Sequence, residues 1–173
     1  MSTDLSKYSD VHTHRLDAGE DAIINLPWGA DVPPQGSFSV GIHPWDTPAV
    51  GSDADIARVA TLAALPQVVA IGEAGLDALR GAPLDEQQRI FEAQALISEQ
   101  VGKPLIIHAV RTLHIILAIH ARLRPRQTWI VHGFRGKAAL AAQLAEKGIH
   151  ISVKYGRPLP EGIPPGLLHR ETD

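Results

Sequence analysis

His12 and His14 stand two residues apart in the stretch Tyr8-Ser9-Asp10-Val11-His12-Thr13-His14-Arg15. Side chains alternate between the faces of a β-strand, so both imidazoles project from one side and can reach one cation together. Taken alone, the pair reads equally well as two solvated histidines. Four more residues of ligand type shift that balance. Glu73, His108, His132 and Asp173 each sit at or just past the end of an apolar run. The 173 residues include no cysteine, so imidazole and carboxylate must hold any metal, with neither thiolate nor disulfide available. That donor set accepts Zn²⁺, Mn²⁺ or Mg²⁺ alike.

The elements that must position these residues alternate along the chain. Residues 9–15 read as a first strand and 21–26 as a second, closed by Pro27, with too few residues between them for a crossover helix. Strands are further expected at 38–42, 68–73, 105–108, 128–132, 149–153 and 167–172. Ser52 and Asp55 mark a capping-box start for a helix with Ile56, Val59, Ala60 and Ala63 on one stripe, stopped at Pro66. A second helix starts around Asp85 and Gln88, carries Ile90, Ala93, Ile97 and Val101 on one face, and ends at Gly102. Helices near 112–122 and 137–147 follow, the last closed by Gly148. Strands alternating with helices predict parallel βαβ units, and continuous apolar strands predict burial on both faces. Eight strand candidates favour a TIM-type (β/α)₈ barrel, shortened between the first strands and without a last helix. In such a barrel the reactive residues gather at the C-terminal strand ends.

The bounds agree with one domain over residues 1–173, below the ~250 residues of a typical barrel. Hydrophobic residues make up 45% and charged residues 20%, as in ordinary water-soluble proteins. A net charge of −3 gives no global attraction to nucleic acid, so polyanion binding must be local. No apolar run approaches the length of a membrane span, and Met1 to Lys7 lacks an apolar segment, which makes the cytoplasm the expected location.

Several stretches together resemble the TatD family of metal-dependent deoxyribonucleases. They are His12-Thr13-His14, Gly41-Ile42-His43-Pro44-Trp45, Ile71-Gly72-Glu73-Ala74-Gly75-Leu76-Asp77, Pro104 to His108, His132-Gly133-Phe134-Arg135-Gly136 and Glu171-Thr172-Asp173. Their order and spacing are similar to the family's over nearly the whole chain. The resemblance implies an amidohydrolase-type barrel that hydrolyses phosphodiester bonds in DNA, with metal ligands at His12, His14, Glu73, His108, His132 and Asp173. It also places His43 on the substrate phosphate, where a turn histidine before Pro44 is the plainer alternative. The chain departs from the family in three ways. Ala109 and Gly133-Phe134-Arg135 stand where the family has Cys or Ser and Cys-Phe-Ser. The stretch between His14 and His43 is short, and the sequence stops at Asp173.

Phosphodiester hydrolysis needs a nucleophilic hydroxide, neutralised phosphate oxygens and a stabilised leaving oxygen. Two dications roughly 3.5–4 Å apart supply all three. Such a pair needs a bridging ligand with two oxygens, and Glu73 is the residue placed for it. His12, His14 and Asp173 would complete one ion's set and His108 with His132 the other's. Asp173 could also hold the attacking water and accept its proton. Asp77 is the candidate to orient a ligand histidine, against a simple turn aspartate after Gly75. Arg111 and Arg135 follow strand ends and suit phosphate oxygens with their planar forks. Trp45 either stacks on a base or ribose or packs on its own loop.

Two other functions compete. An amidohydrolase acting on an amide, ester or lactone often bridges its metals with a carboxylated lysine, but no lysine falls in this ligand set. A non-catalytic binding protein could retain an inherited site. As the final residue, Asp173 is expected to be the least firmly held ligand. The outer faces of the first and last strands then call for cover from the N-terminal residues or from a second copy of the chain.

Overall fold

The computed structural model describes residues 2–173. Eight strands lie in one parallel sheet in chain order: β1 (Asp10–Thr13), β2 (Ala22–Asn25), β3 (Phe38–Val40), β4 (Val68–Asp77), β5 (Leu105–Val110), β6 (Trp129–Val131), β7 (His150–Lys154) and β8 (Leu168–Glu171). The sheet curls into a nearly closed barrel. Four α-helices cover part of its outside: α1 (Asp53–Ala63), α2 (Leu84–Val101), α3 (Leu113–Leu123) and α4 (Ala138–Glu146). They follow β3, β4, β5 and β6. Among the described residues no α-helix joins β1 to β2, β2 to β3, or β7 to β8.

Period-two alternation sorts the apolar residues into two layers. Ile106 and Ile130 share a strand face with His108 and His132, and they cluster with Ile23, Ala70 and Leu5 beneath those histidines. The opposite faces of the same strands, through Leu105, Ile107 and Trp129, pack on Ile90, Phe91 and Ile116 of the helices. Phe91 and Trp129 meet edge to face with centroids 5.5 Å apart. The strands are therefore buried on both sides, as their unbroken apolar runs demand.

The local signals act as expected at α1, where the Ser52 hydroxyl accepts from the Asp55 N–H while Asp55 accepts from the Ser52 N–H. The left-handed Gly102 ends α2. Three expectations need correction. β4 does not end at Glu73 but runs on to Asp77, because Ala74, Gly75 and Leu76 continue the pairing with β5. α2 begins at Leu84 without a side-chain cap, and Ala93 is only partly buried. The buried face of α2 includes Phe91 and also Gln87, Gln94 and Ser98, whose polar side-chain atoms bond to neighbouring backbone. β1 stops at Thr13, so His14 stands just beyond it.

Gly75 pairs with His108 across β4 and β5. A Cβ there would lie 1.8 Å from the His108 carbonyl oxygen and 2.9 Å from its nitrogen. Only separation of the two strands could make room. We expect Gly75→Ala to lower the unfolding free energy by at least about 2 kcal/mol in urea. It should also shift His108 enough to weaken metal uptake.

Candidate metal centre

β4 carries Glu73 into the centre of the barrel mouth, where only 3% of its surface is exposed. Its two oxygens face different partners. Oε1 lies 2.6 Å from His132 Nε2, 2.8 Å from His108 Nδ1 and 3.0 Å from His43 Nε2. Oε2 lies 3.3 Å from His12 Nε2 and 3.5 Å from His14 Nε2. Asp173 Oδ1 completes the second group, 3.1 Å from His14 Nε2 and 3.8 Å from His12 Nε2. One carboxylate thus stands between two sets of nitrogen donors.

The supports behind these side chains come from several elements. Asp77 Oδ2 lies 3.0 Å from His108 Nε2 and accepts from the Trp45 indole N–H at 2.6 Å. Two buried glutamines of α2 hold the backbone that carries these groups. Gln94 accepts from the Ile42 N–H and donates to the Ile42 carbonyl, fixing the residue before His43. Gln87 accepts from the Asp77 N–H and donates to the Asp77 carbonyl. His43 Nδ1 accepts from the Trp45 N–H, which leaves the proton on Nε2 to be donated to Glu73.

Glu171 was not anticipated from the sequence. It is 1% exposed, accepts from the Ser152 hydroxyl, and has Oε2 3.8 Å from His132 Nδ1. The signal was present: Glu171 and Asp173 alternate along the end of β8 just as Asp10, His12 and His14 do along β1. The two arginines are placed differently. Arg135 lines a cavity of about 410 Å³ together with His108, Phe134, His132 and Asp173. Arg111 is exposed just past β5, with a positive φ of 57°, and is absent from that lining. Trp45 has the Arg80 guanidinium 3.7 Å above its ring.

Electrostatics follow from this packing. Burial by itself would raise Glu73, but the charge of His132, the bonds from His108 and His132 and the close approach of His12 hold it well below the usual carboxylate range. His132 is opposed by its own burial, yet the Glu73 charge and the contact with Glu171 push it up to about 10. Bonds to Asp173 and Glu73 raise His14 to about 9, and the His14 bond holds Asp173 down at about 2. Asp77 and Glu171 are also lowered despite burial, by Trp45 and His108 in one case and by His132 in the other.

The residues fit a divalent cation. His12 is fully buried, and both of its ring nitrogens lack a hydrogen-bond partner. An imidazole in that state carries an unused lone pair aimed at Glu73 and Asp173, an arrangement that a cation would satisfy. Four groups of three ligand-type residues converge here, drawn from His12, His14, His43, Glu73, His108, His132, Glu171 and Asp173.

A family model described as TatD related DNase matches residues 28–157. The chain belongs to the TatD family. It is 32% identical over 148 residues to a 3'-5' ssDNA/RNA exonuclease TatD of Musicola paradisiaca, covering 78% of this chain and 55% of that protein. It is 34% identical over 118 residues to the protein of the same name from Citrobacter rodentium, with 66% and 44% covered. The chain therefore spans about half the length of the curated relatives it matches. The solved structure of the TatD homologue YjjV from Escherichia coli superposes with a TM-score of 0.68 at 23% identity, over 92% of this chain and 73% of that one. That likeness carries the barrel fold. The matched span of the family model includes His43, Glu73, His108 and His132 but neither His12, His14 nor Asp173, which only the folded chain brings to the same carboxylate.

The His14–Asp173 pair is one of the contacts that make the stability of the metal-free chain depend on pH. The folded chain holds the His14 proton up to about 9 rather than 6.5, so this stabilisation is complete below about pH 6.5 and is lost as pH rises through 9. Asp173, lowered from 3.8 to about 2, contributes above about pH 3.8 and loses that contribution as pH falls through 2. Urea melts of metal-free protein should show this pair's full contribution between about pH 4 and 6.5. His14→Ala should flatten the alkaline limb. A cation at His14 must displace the same proton, so Mn²⁺ affinity at that position should rise with pH up to about 9.

Proposed function

We propose that the chain is a metal-dependent hydrolase of phosphodiester bonds, a TatD-type nuclease acting on single-stranded DNA through two divalent ions. The observation that carries this reading is the division of the Glu73 oxygens, Oε1 toward His43, His108 and His132 and Oε2 toward His12 and His14. A bridging carboxylate requires that division. Charge supports a cation site. Glu73, Asp77, Glu171 and Asp173 are all held below their ordinary range around the imidazoles. Negative charge gathered in this way suits divalent cations. The relatives named as ssDNA/RNA exonucleases extend the candidate substrates to RNA. The reading treats residues 1–173 as one domain and places the enzyme in the cytoplasm, where such substrates occur.

In this reading His12, His14 and Asp173 hold one ion and His108 with His132 the other, with Glu73 shared. Zn²⁺, Mn²⁺ and Mg²⁺ all suit this donor set. The bound ions would supply Lewis acidity toward a water and toward the phosphate oxygens. The protein's own groups do the rest. Asp173, 34% exposed and bonded to His14, is placed to orient the attacking water and take its proton. His43 is 20% exposed and can turn its Nε2 proton from Glu73 to a phosphate oxygen. Asp77 keeps His108 oriented, and Arg135 brings a fixed positive charge to the neighbouring cavity.

Cleavage of a labelled single-stranded oligonucleotide with added Mn²⁺ or Mg²⁺, beside a panel of amides, esters and lactones, tests the reading. Cleavage of the oligonucleotide is expected, and turnover of the panel alone would overturn it. Glu73→Gln should abolish cleavage at any Mn²⁺ concentration while the far-ultraviolet circular dichroism is retained. Asp77→Asn should cost about 10–100-fold in activity or metal affinity. Arg135→Ala should weaken single-strand binding and flatten the log–log salt dependence by about 0.7, one phosphate contact's worth. An unchanged slope would remove Arg135 from the binding surface.

A further inference from the structure

The barrel has one weak seam, and the more exposed half of the metal centre lies across it. Among the described residues no strand ladder pairs β8 with β1; the register runs only from β1 through to β8. A long backbone bond crosses the gap, from the Thr172 N–H to the His12 carbonyl at 3.4 Å. His12 and His14 come from the β1 side, and Asp173 comes from the β8 side. Their mutual distances of 3.1 and 3.8 Å therefore depend on how the seam is held.

Asp10 sits at that seam, 7% exposed, with a carboxylate that contacts neither His43, His108 nor His132. Its Oδ2 accepts from the Thr172 hydroxyl at 2.5 Å, and its Oδ1 accepts from the Thr172 N–H at 3.2 Å. The same Oδ1 accepts from the His12 N–H at 3.2 Å, so one side chain ties the ligand-bearing backbones of both strands. The Thr172 and Thr13 hydroxyls are 2.9 Å apart, and Thr13 Oγ1 accepts from the Arg15 N–H, the residue after His14. Bonds to a charged carboxylate are the strong kind, and these replace the ladder that a closed barrel would have here.

We propose that Asp10 and Thr172 form a lock across the β1–β8 seam, and that Asp10 is a positioning residue for the His12/His14/Asp173 ion. The inference rests on the two-ion reading of the site. Thr172 is flanked by Glu171, which backs His132, and by the ligand Asp173, so the lock fixes the point where β8 enters the centre. The Glu73/His108/His132 half is held by β4, β5 and α2 and does not need it.

Calorimetric titration of the metal-stripped full chain with Mn²⁺ tests the lock, using wild type, Thr172→Val, Asp10→Asn and Asp10→Ala. Thr172→Val keeps the backbone N–H and the side-chain shape, and is the variant expected to fold normally. It should leave one ion's affinity unchanged and weaken the other at least tenfold. Asp10→Ala should lose that ion, and Asp10→Asn, which keeps one acceptor, should fall between. Amide exchange at Thr172 in metal-free protein should rise in Thr172→Val and Asp10→Ala, a readout independent of the ions. Unchanged exchange and affinities in these variants, or equal weakening of both ions, would overturn the proposal. Failure of the nuclease reading looks different: a wild type that holds two ions, responds to the lock variants as stated, and cleaves no nucleic acid.

Discussion

A carboxylate with 3% of its surface exposed is stable as an ion only when its surroundings replace the water it lost, and Glu73 is surrounded by five imidazoles. Those imidazoles come from β1 near the N-terminus and from β3, β5 and β6 or the residues just past them. Each must arrive within bonding distance of one side chain, and that requirement fixes the register of the sheet around β4. It also explains why further carboxylates gather behind the histidines. Asp77 faces His108, Glu171 faces His132, and Asp173 faces His14. Removing Glu73 would leave a cluster of partly charged imidazoles facing one another.

The helices are distributed to match. α1 to α4 follow β3 to β6, which carry Glu73, Asp77 and His108 within them and His43 and His132 shortly past their ends. The exposed candidates His14 and Asp173 stand just past β1 and β8. His14 is 54% exposed and Asp173 34%, whereas His108 and His132 are 10% and 8% exposed. The centre thus has a rigid, buried half built on β4, β5, β6 and α2, and a more open half assembled across the β1–β8 seam. α2 matters most to the first, because Gln87 and Gln94 spend their hydrogen bonds on the backbone of Asp77 and Ile42 rather than on solvent.

This division gives the two halves separate physical tasks. A buried, well-supported set of donors holds charge and geometry at little reorganisation. A half-exposed carboxylate and imidazole can meet water and substrate. The cavity beside His132, with Phe134 on its wall and Arg135 at its edge, opens on the same mouth. With a net charge of −3, the chain must hold any anionic ligand through local groups such as these.

The sequence by itself determined the strands, the helix limits at Ser52 and Gly102, and the residue types at the strand ends. Those properties rest on local periodicity, caps and the alternation of side chains, which need no distant partner. It also placed His12, His14, His108, His132 and Asp173 at or near strand ends, and Glu73 on β4. Only the tertiary structure decided which Glu73 oxygen faces which histidine, that β4 continues to Asp77, and that Asp10, Glu171, Gln87 and Gln94 are buried and bonded. Polar side chains such as these read as solvent-facing until a partner far along the chain removes the water. Asp10 meets Thr172 across 162 positions, and His132 meets Glu73 across 59. Separations of that size are spanned by strand register and barrel closure, which one strand's own pattern does not encode.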